Sequence, residues 1–213
     1  MLIDFMTLAH QCAPQIDPIT MAALVRTESG FNPYAIGVVH GRLIRQPSNL
    51  VEATTTMRAL EAAGWNFSVG LAQVNRANWR AYGLTEQNAF EPCRNVTVGA
   101  NILQRCFTSV HRAQVDTQAA LRASLCCYES GDFSTGYRTG YVQRVVKNAQ
   151  QPVPTFPITV PSIAPIPVLP VDSGISANPV RPYPVARRPL LPNRDDALTD
   201  QQGGEPDSSA VVF

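Results

Sequence analysis

The sequence predicts a mostly α-helical domain over residues 1–150, followed over residues 151–213 by a proline-rich tail that is disordered or extended. Three observations carry this. Apolar residues recur at helical spacing in seven segments of the first 150 residues, and short polar or Gly/Pro stretches separate those segments. Of the 18 prolines, 13 lie beyond residue 150, where missing backbone donors favour polyproline II over a packed core. A chain of 213 residues has room for one such domain with a core and a tail.

The helical segments run over 2–12, 18–29, 49–63, 76–82, 97–112, 117–128 and 138–149. In the second, Pro18 and Thr20 are start signals and Gly30 is a stop. VVHGRLIRQ then reads as a small β-hairpin turning at His40–Gly41. Asn49 with Glu52 forms a capping-box signature, and Gly64 closes the helix it opens. In the tail, Val180, Tyr183, Val185 and the arginines Arg181, Arg187 and Arg188 offer a partner contacts before a polar end.

Composition excludes several classes. A net charge of +1 leaves no electrostatic footprint for nucleic acid. No run approaches the roughly 18 to 20 apolar residues of a membrane span. The start MLIDFMTLAHQCAP lacks the basic region and long apolar run of a signal peptide. It reads as an amphipathic helix, and a missing upstream segment is favoured over a weak signal spoiled by Asp4 and His10. Cys12, Cys93, Cys106, Cys126 and Cys127 show no CxxC pair and have no histidine cluster to join, which argues against zinc. In an oxidising compartment they would give two disulfides and one thiol, with the pairing open. Adjacent Cys126 and Cys127 point in different directions on a helix and should not share a partner.

Glu28 is the informative residue of the second helix. It lies seven residues after Met21 and four after Leu24, which puts its carboxyl on the apolar face in the last turn. Desolvation and the negative helix end both disfavour the carboxylate, so such a group can stay protonated near neutral pH and protonate a glycosidic oxygen. On geometry alone, the competing reading is a glutamate at the helix edge, paired with an arginine or capped by water.

The rest of the chain tips that balance. ESGFNP at Glu28–Pro33, GLAQVN at Gly70–Asn75, GANIL at Gly99–Leu103, CYESG at Cys127–Gly131 and GYV at Gly140–Val142 occur in order. Together they resemble the lytic transglycosylases with a goose-type lysozyme-like domain, over most of residues 12–148. The insertion between Glu28 and Gly70 and the proline-rich tail resemble the transglycosylases of type IV secretion systems.

The resemblance implies a lysozyme-like helical fold and cleavage between N-acetylmuramic acid and N-acetylglucosamine. It implies a 1,6-anhydro product, no metal and no cofactor. Glu28 matches the catalytic acid. Ser29, Gly70, Gln73, Asn75, Tyr128 and Tyr141 match substrate-binding positions, Tyr141 more weakly. For Ser29, Gln73, Asn75 and Tyr128, the plain alternatives are local hydrogen bonding or core packing. Ala72 stands where methionine is commoner, loosening a cleft wall, and Glu129 stands where asparagine is usual, placing a charge near the site. The implied setting is the periplasm. The implied partners are peptidoglycan glycan strands and, through the tail, secretion-channel proteins, with the enzyme itself a monomer. The tail is expected to be dispensable for cleavage but needed for localised action. Two rivals stay open: a glycan-binding assembly factor, and a hydrolytic muramidase in which Glu129 or Asp132 manages a water.

Overall fold

The computed structural model describes residues 4–111, 116–153 and 166–170. Its elements in chain order are α1 Phe5–Cys12, α2 Pro18–Ser29, β1 Ile36–Val38, β2 Gly41–Leu43 and α3 Leu50–Ala62. Then come β3 Phe67–Val69, β4 Val74–Asn75, a 3-10 turn Arg76–Asn78 and α4 Trp79–Tyr82. α5 Pro92–His111, α6 Thr117–Ser130, α7 Thr135–Arg138, α8 Tyr141–Ala149 and β5 Val168–Pro170 complete the set.

α2 is the axis of the fold. Asp17 caps its start by accepting from the Ile19 and Thr20 amides, Pro18 supplies a preset φ, and Gly30 ends it at φ 59°. Thr20 through Val25 are six consecutive buried residues, so the helix is enclosed on every side and not only along a stripe. α1 and α8 pack on it, and α5 and α6 pack against each other and reach it through α1 and α8. Helix contacts of this kind, with a core running from Phe5 to Val145, are what the apolar spacing encodes.

Several boundaries differ from the sequence expectation for identifiable reasons. Asp4 caps α1 by accepting from the Thr7 amide, so the acid that spoils a signal peptide here starts a helix. α5 begins at Pro92, five residues early, because proline is favoured in a first turn. The predicted 138–149 helix is broken at Gly140, whose φ of 71° ends α7 and opens α8. Asn49 does cap α3, accepting from the Glu52 amide at 2.9 Å. The buried Glu52 carboxylate instead accepts from the Ser48 amide and hydroxyl and pairs with Arg45, which lowers its pKa to about 2.

β1 and β2 flank the His40 turn but form no ladder with each other: β1 pairs with β3, and β2 with β5. The hairpin that closes is β3–β4, antiparallel, with Val69 opposite Val74. Most of the tail expected over 151–213, at residues 154–165 and 171–213, lies outside the described residues. What is described of the tail touches the domain. Gln151 and the Pro152 carbonyl accept from Arg26, and Ile166 is 5% exposed within the core. Among the described residues no helix is long and apolar enough to cross a membrane.

Cys12 bonds Cys93 and ties α1 to α5, Cys106 bonds Cys127 and ties α5 to α6, and Cys126 is a buried free thiol. These bridges span separations of 81 and 21 residues. The loop-entropy relation gives stabilisations of about 4.5 and about 3.3 kcal/mol. Replacing Cys12 and Cys93 together by alanine should therefore lower the urea midpoint further than replacing Cys106 and Cys127, and the reverse order would count against loop closure as the dominant effect.

Candidate active site

Four elements converge around Glu28: the last turn of α2, the β3–β4 loop, the end of α6 and the start of α8. Glu28 is partly exposed at the end of an otherwise buried helix. Protein atoms crowd its carboxyl, and this desolvation raises its pKa to about 7. The Tyr141 hydroxyl donates to Glu28 Oε1 and, with the more distant positive charge of Arg144, pulls the other way; the Glu129 charge pushes up. A carboxyl balanced in this way can give a proton at neutral pH and take one back.

The tyrosine that touches the acid is Tyr141, the weaker match in sequence. Tyr141 is buried at the start of α8, with Arg144 5.8 Å from its ring centroid. Tyr128 instead donates to the Ala72 carbonyl at 2.5 Å, so it fastens α6 to the β3–β4 loop. Burial and the Glu28 charge hold both phenols well above the ordinary tyrosine range, so both remain donors.

The loop itself is held from beneath. Asn95 on α5 is fully buried; its Oδ1 accepts from the Ala72 amide at 2.7 Å, and its Nδ2 donates to the Val69 and Ala89 carbonyls, each at 2.9 Å. Gly70 has φ 81°, and a Cβ there would lie 2.3 Å from Asn95 Nδ2. Gly70 thus admits Asn95, where the sequence reading had it admit a ligand. Gly99, mid-helix in α5, is the second close approach: a Cβ there would meet Ala72 Cβ at 2.5 Å and the Tyr128 hydroxyl at 3.1 Å. Ala72 is fully buried on that side, so its small side chain loosens no open wall. Asn95 was missed in sequence, because the predicted helix began at residue 97 and left Asn95 in the segment before it.

The remaining candidates are more locally engaged. Ser29 Oγ donates to the Val25 carbonyl at 3.1 Å, back into its own helix. Gln73, at φ 46°, donates its amide to the Ala35 and Gly70 carbonyls. Asn75 donates to Asn66 and Ser68 and caps the following turn through the Ala77 amide. Of the rival carboxylates, Glu129 is exposed and accepts from Thr139 at both oxygens. Asp132 accepts four bonds from the amides and hydroxyls of Ser134 and Thr135, which hold its pKa well below the usual carboxylate range.

Two pH effects follow from the raised Glu28 pKa. Unfolded, the residue titrates near 4.5; folded, near 7, so between these values the folded chain holds a proton that the unfolded chain has released. Stability must then fall as pH rises through that window. Glu28→Gln should be the more stable chain above pH 7, by on the order of 1–3 kcal/mol after allowance for partial exposure, with the gap closing below pH 4.5. Urea melts at pH 4.5 and pH 8 check this; an equal difference at both would contradict it. Tyr141→Phe removes a donor to the carboxylate and raises the pKa further, so the alkaline limb of the rate profile should move to higher pH while the maximum rate drops.

Comparison with known proteins agrees with the geometry. The model of the family described as "Transglycosylase SLT domain" matches residues 5–150. A Brucella abortus protein named "Type IV secretion system protein virB1" is 52% identical over 165 residues, covering 75% of this chain and 68% of that protein. An Agrobacterium fabrum "Protein virB1" is 36% identical over 154 residues, covering 71% of this chain and 61% of that protein. No solved structure matches the chain. The chain belongs to the SLT transglycosylase family and is a lytic transglycosylase.

Proposed function

We propose that this enzyme cleaves the β-1,4 bond between N-acetylmuramic acid and N-acetylglucosamine in periplasmic peptidoglycan, leaves a 1,6-anhydromuramoyl end, and so opens the wall locally for a type IV secretion system. The carrying observation is the Glu28 carboxyl, poised near pH 7 and bonded by Tyr141. The secretion setting follows from the printed names of the Brucella and Agrobacterium relatives.

In this reading Glu28 protonates the bridging oxygen as the muramoyl 2-acetamido group attacks its own anomeric carbon and the glucosamine leaves. Glu28, now a carboxylate stabilised by the Tyr141 hydroxyl, takes the proton of the muramoyl C6 hydroxyl. The C6 oxygen closes the anhydro ring and displaces the acetamido oxygen, which returns Glu28 to its acid form. Water is not consumed, and no metal or cofactor takes part. Tyr128 keeps the β3–β4 loop against α6, and the Ser29 hydroxyl, which donates to the Val25 carbonyl, keeps its oxygen free to accept from the glycan.

A hydrolytic route through a second carboxylate has less support. A glycosidase of that kind sets its carboxyls about 5 to 5.5 Å apart for retention or about 6.5 to 9.5 Å apart for inversion. Asp132 has its oxygens committed to capping, and Glu129 lies exposed against Thr139.

Mass spectrometry of purified peptidoglycan digested by the full chain should find 1,6-anhydromuramoyl ends, with at least a 100-fold loss in Glu28→Gln. Reducing ends would instead identify a hydrolase. An intact sacculus with a folded chain would leave glycan binding for assembly as the better reading.

A further inference from the structure

Beyond Val153 the chain is next described at Ile166, seated in a cleft between α3 and β2. The Ile166 amide donates to Thr56 Oγ1 at 3.2 Å, and the Ile44 amide donates to the Pro167 carbonyl at 3.2 Å. Val168–Pro170 then continue antiparallel to β2, with Val168 opposite Leu43 and Pro170 opposite Gly41. Edge strand β2 is thereby paired by the chain's own tail, a form of β-augmentation.

The fit is incomplete in two ways. The Ile44 amide donating to the Pro167 carbonyl places residue 167 on the side that faces β2, and Pro167 has no N–H to return to Ile44, so the ladder lacks one cross-strand donor. A cavity of about 300 Å³ also stays open beside it, lined by Thr56, Ala59, Leu60, Ala63 and Trp65 together with Ile166 and Pro167. A three-residue ladder with a missing donor and an apolar slot left partly open is a weak intrinsic ligand. Covalent attachment to the same chain compensates, because pairing within one molecule does not depend on the concentration of a separate partner.

We propose that the α3–β2 cleft is a docking site for an extended apolar strand of a partner protein, and that Ile166–Pro170 is its resident occupant. The partner strand pairs with β2, places an aliphatic or aromatic side chain in the Ile166 slot, and presents a carbonyl one residue later to the Ile44 amide. A side chain larger than isoleucine fills the remaining cavity, and a residue other than proline in the place of Pro167 adds the missing donor to β2. Both gains let it displace a tail held by tethering.

The test uses the full chain and a fluorescent peptide of residues 163–172, IAPIPVLPVD, read by anisotropy. Ile166→Asp evicts the resident segment, so this chain should bind the peptide at least tenfold more tightly than the wild type, whose cleft is filled. Adding Ala59→Arg, an exposed helical position lining the cleft, should abolish that binding. Circular dichroism and glycan cleavage report the fold of each variant, and the binding readout is independent of the reaction assigned to Glu28. Equal binding by both chains, or no saturable binding to folded Ile166→Asp at millimolar peptide, overturns the proposal. Should Ile166→Asp not fold, Ile166→Ala, which removes burial without adding charge, takes the same measurement and the same criteria.

Discussion

Everything at the candidate site depends on one carboxyl held where water cannot fully solvate it. α2 achieves this by burying Thr20 through Val25 and turning polar at its exit, so that the residue after Thr27 emerges into a crowded cleft. Desolvation by the protein around that end keeps Glu28 from titrating as an ordinary acid. The surrounding helices therefore serve the chemistry indirectly: each side of α2 they cover removes water from its end.

A second constraint fixes what faces that carboxyl. The β3–β4 loop is short and carries unpaired backbone groups, which Asn95 satisfies from below and Tyr128 from the side. Gly70 and Gly99 are two places where backbone lies closer to this loop and its supports than a side chain would allow. The loop is thus anchored to the same α5 and α6 that the Cys106–Cys127 bridge joins, and it inherits their rigidity.

The helices were legible in the sequence because apolar spacing and caps are local signals: Pro18, Asn49 and Gly30 act where they were expected to, while the cap of α2 is Asp17, which was not singled out. The motif order singled out Glu28 and the β3–β4 loop together. Roles within the site were less legible. Both Tyr128 and Tyr141 matched substrate-binding positions, and that it is Tyr141 that bonds the acid depends on the αL break at Gly140 and on how α8 packs on α2. Strand partners were also hidden. The sequence around His40 shows a turn, but the mates of β1 and β2 lie about thirty and one hundred and thirty residues away, and no local pattern announces them. Ile166 sits in a proline-rich stretch whose composition argues against a core, yet one aliphatic side chain suffices to join it.

The free thiol bears on how the chain reaches its native bridges. Cys126 and Cys127 are chain neighbours, so during oxidation either can attack a partner held by the other, and Cys106 has two nearby suitors. Once α7 folds over α6, Gly136 seals Cys126, and burial pushes its thiol pKa up. The thiolate is the species that exchanges, so the finished fold silences its own scrambling reagent. A glycine packed on a sulfur thus disfavours the thiolate that exchange with the neighbouring Cys106–Cys127 bridge would require.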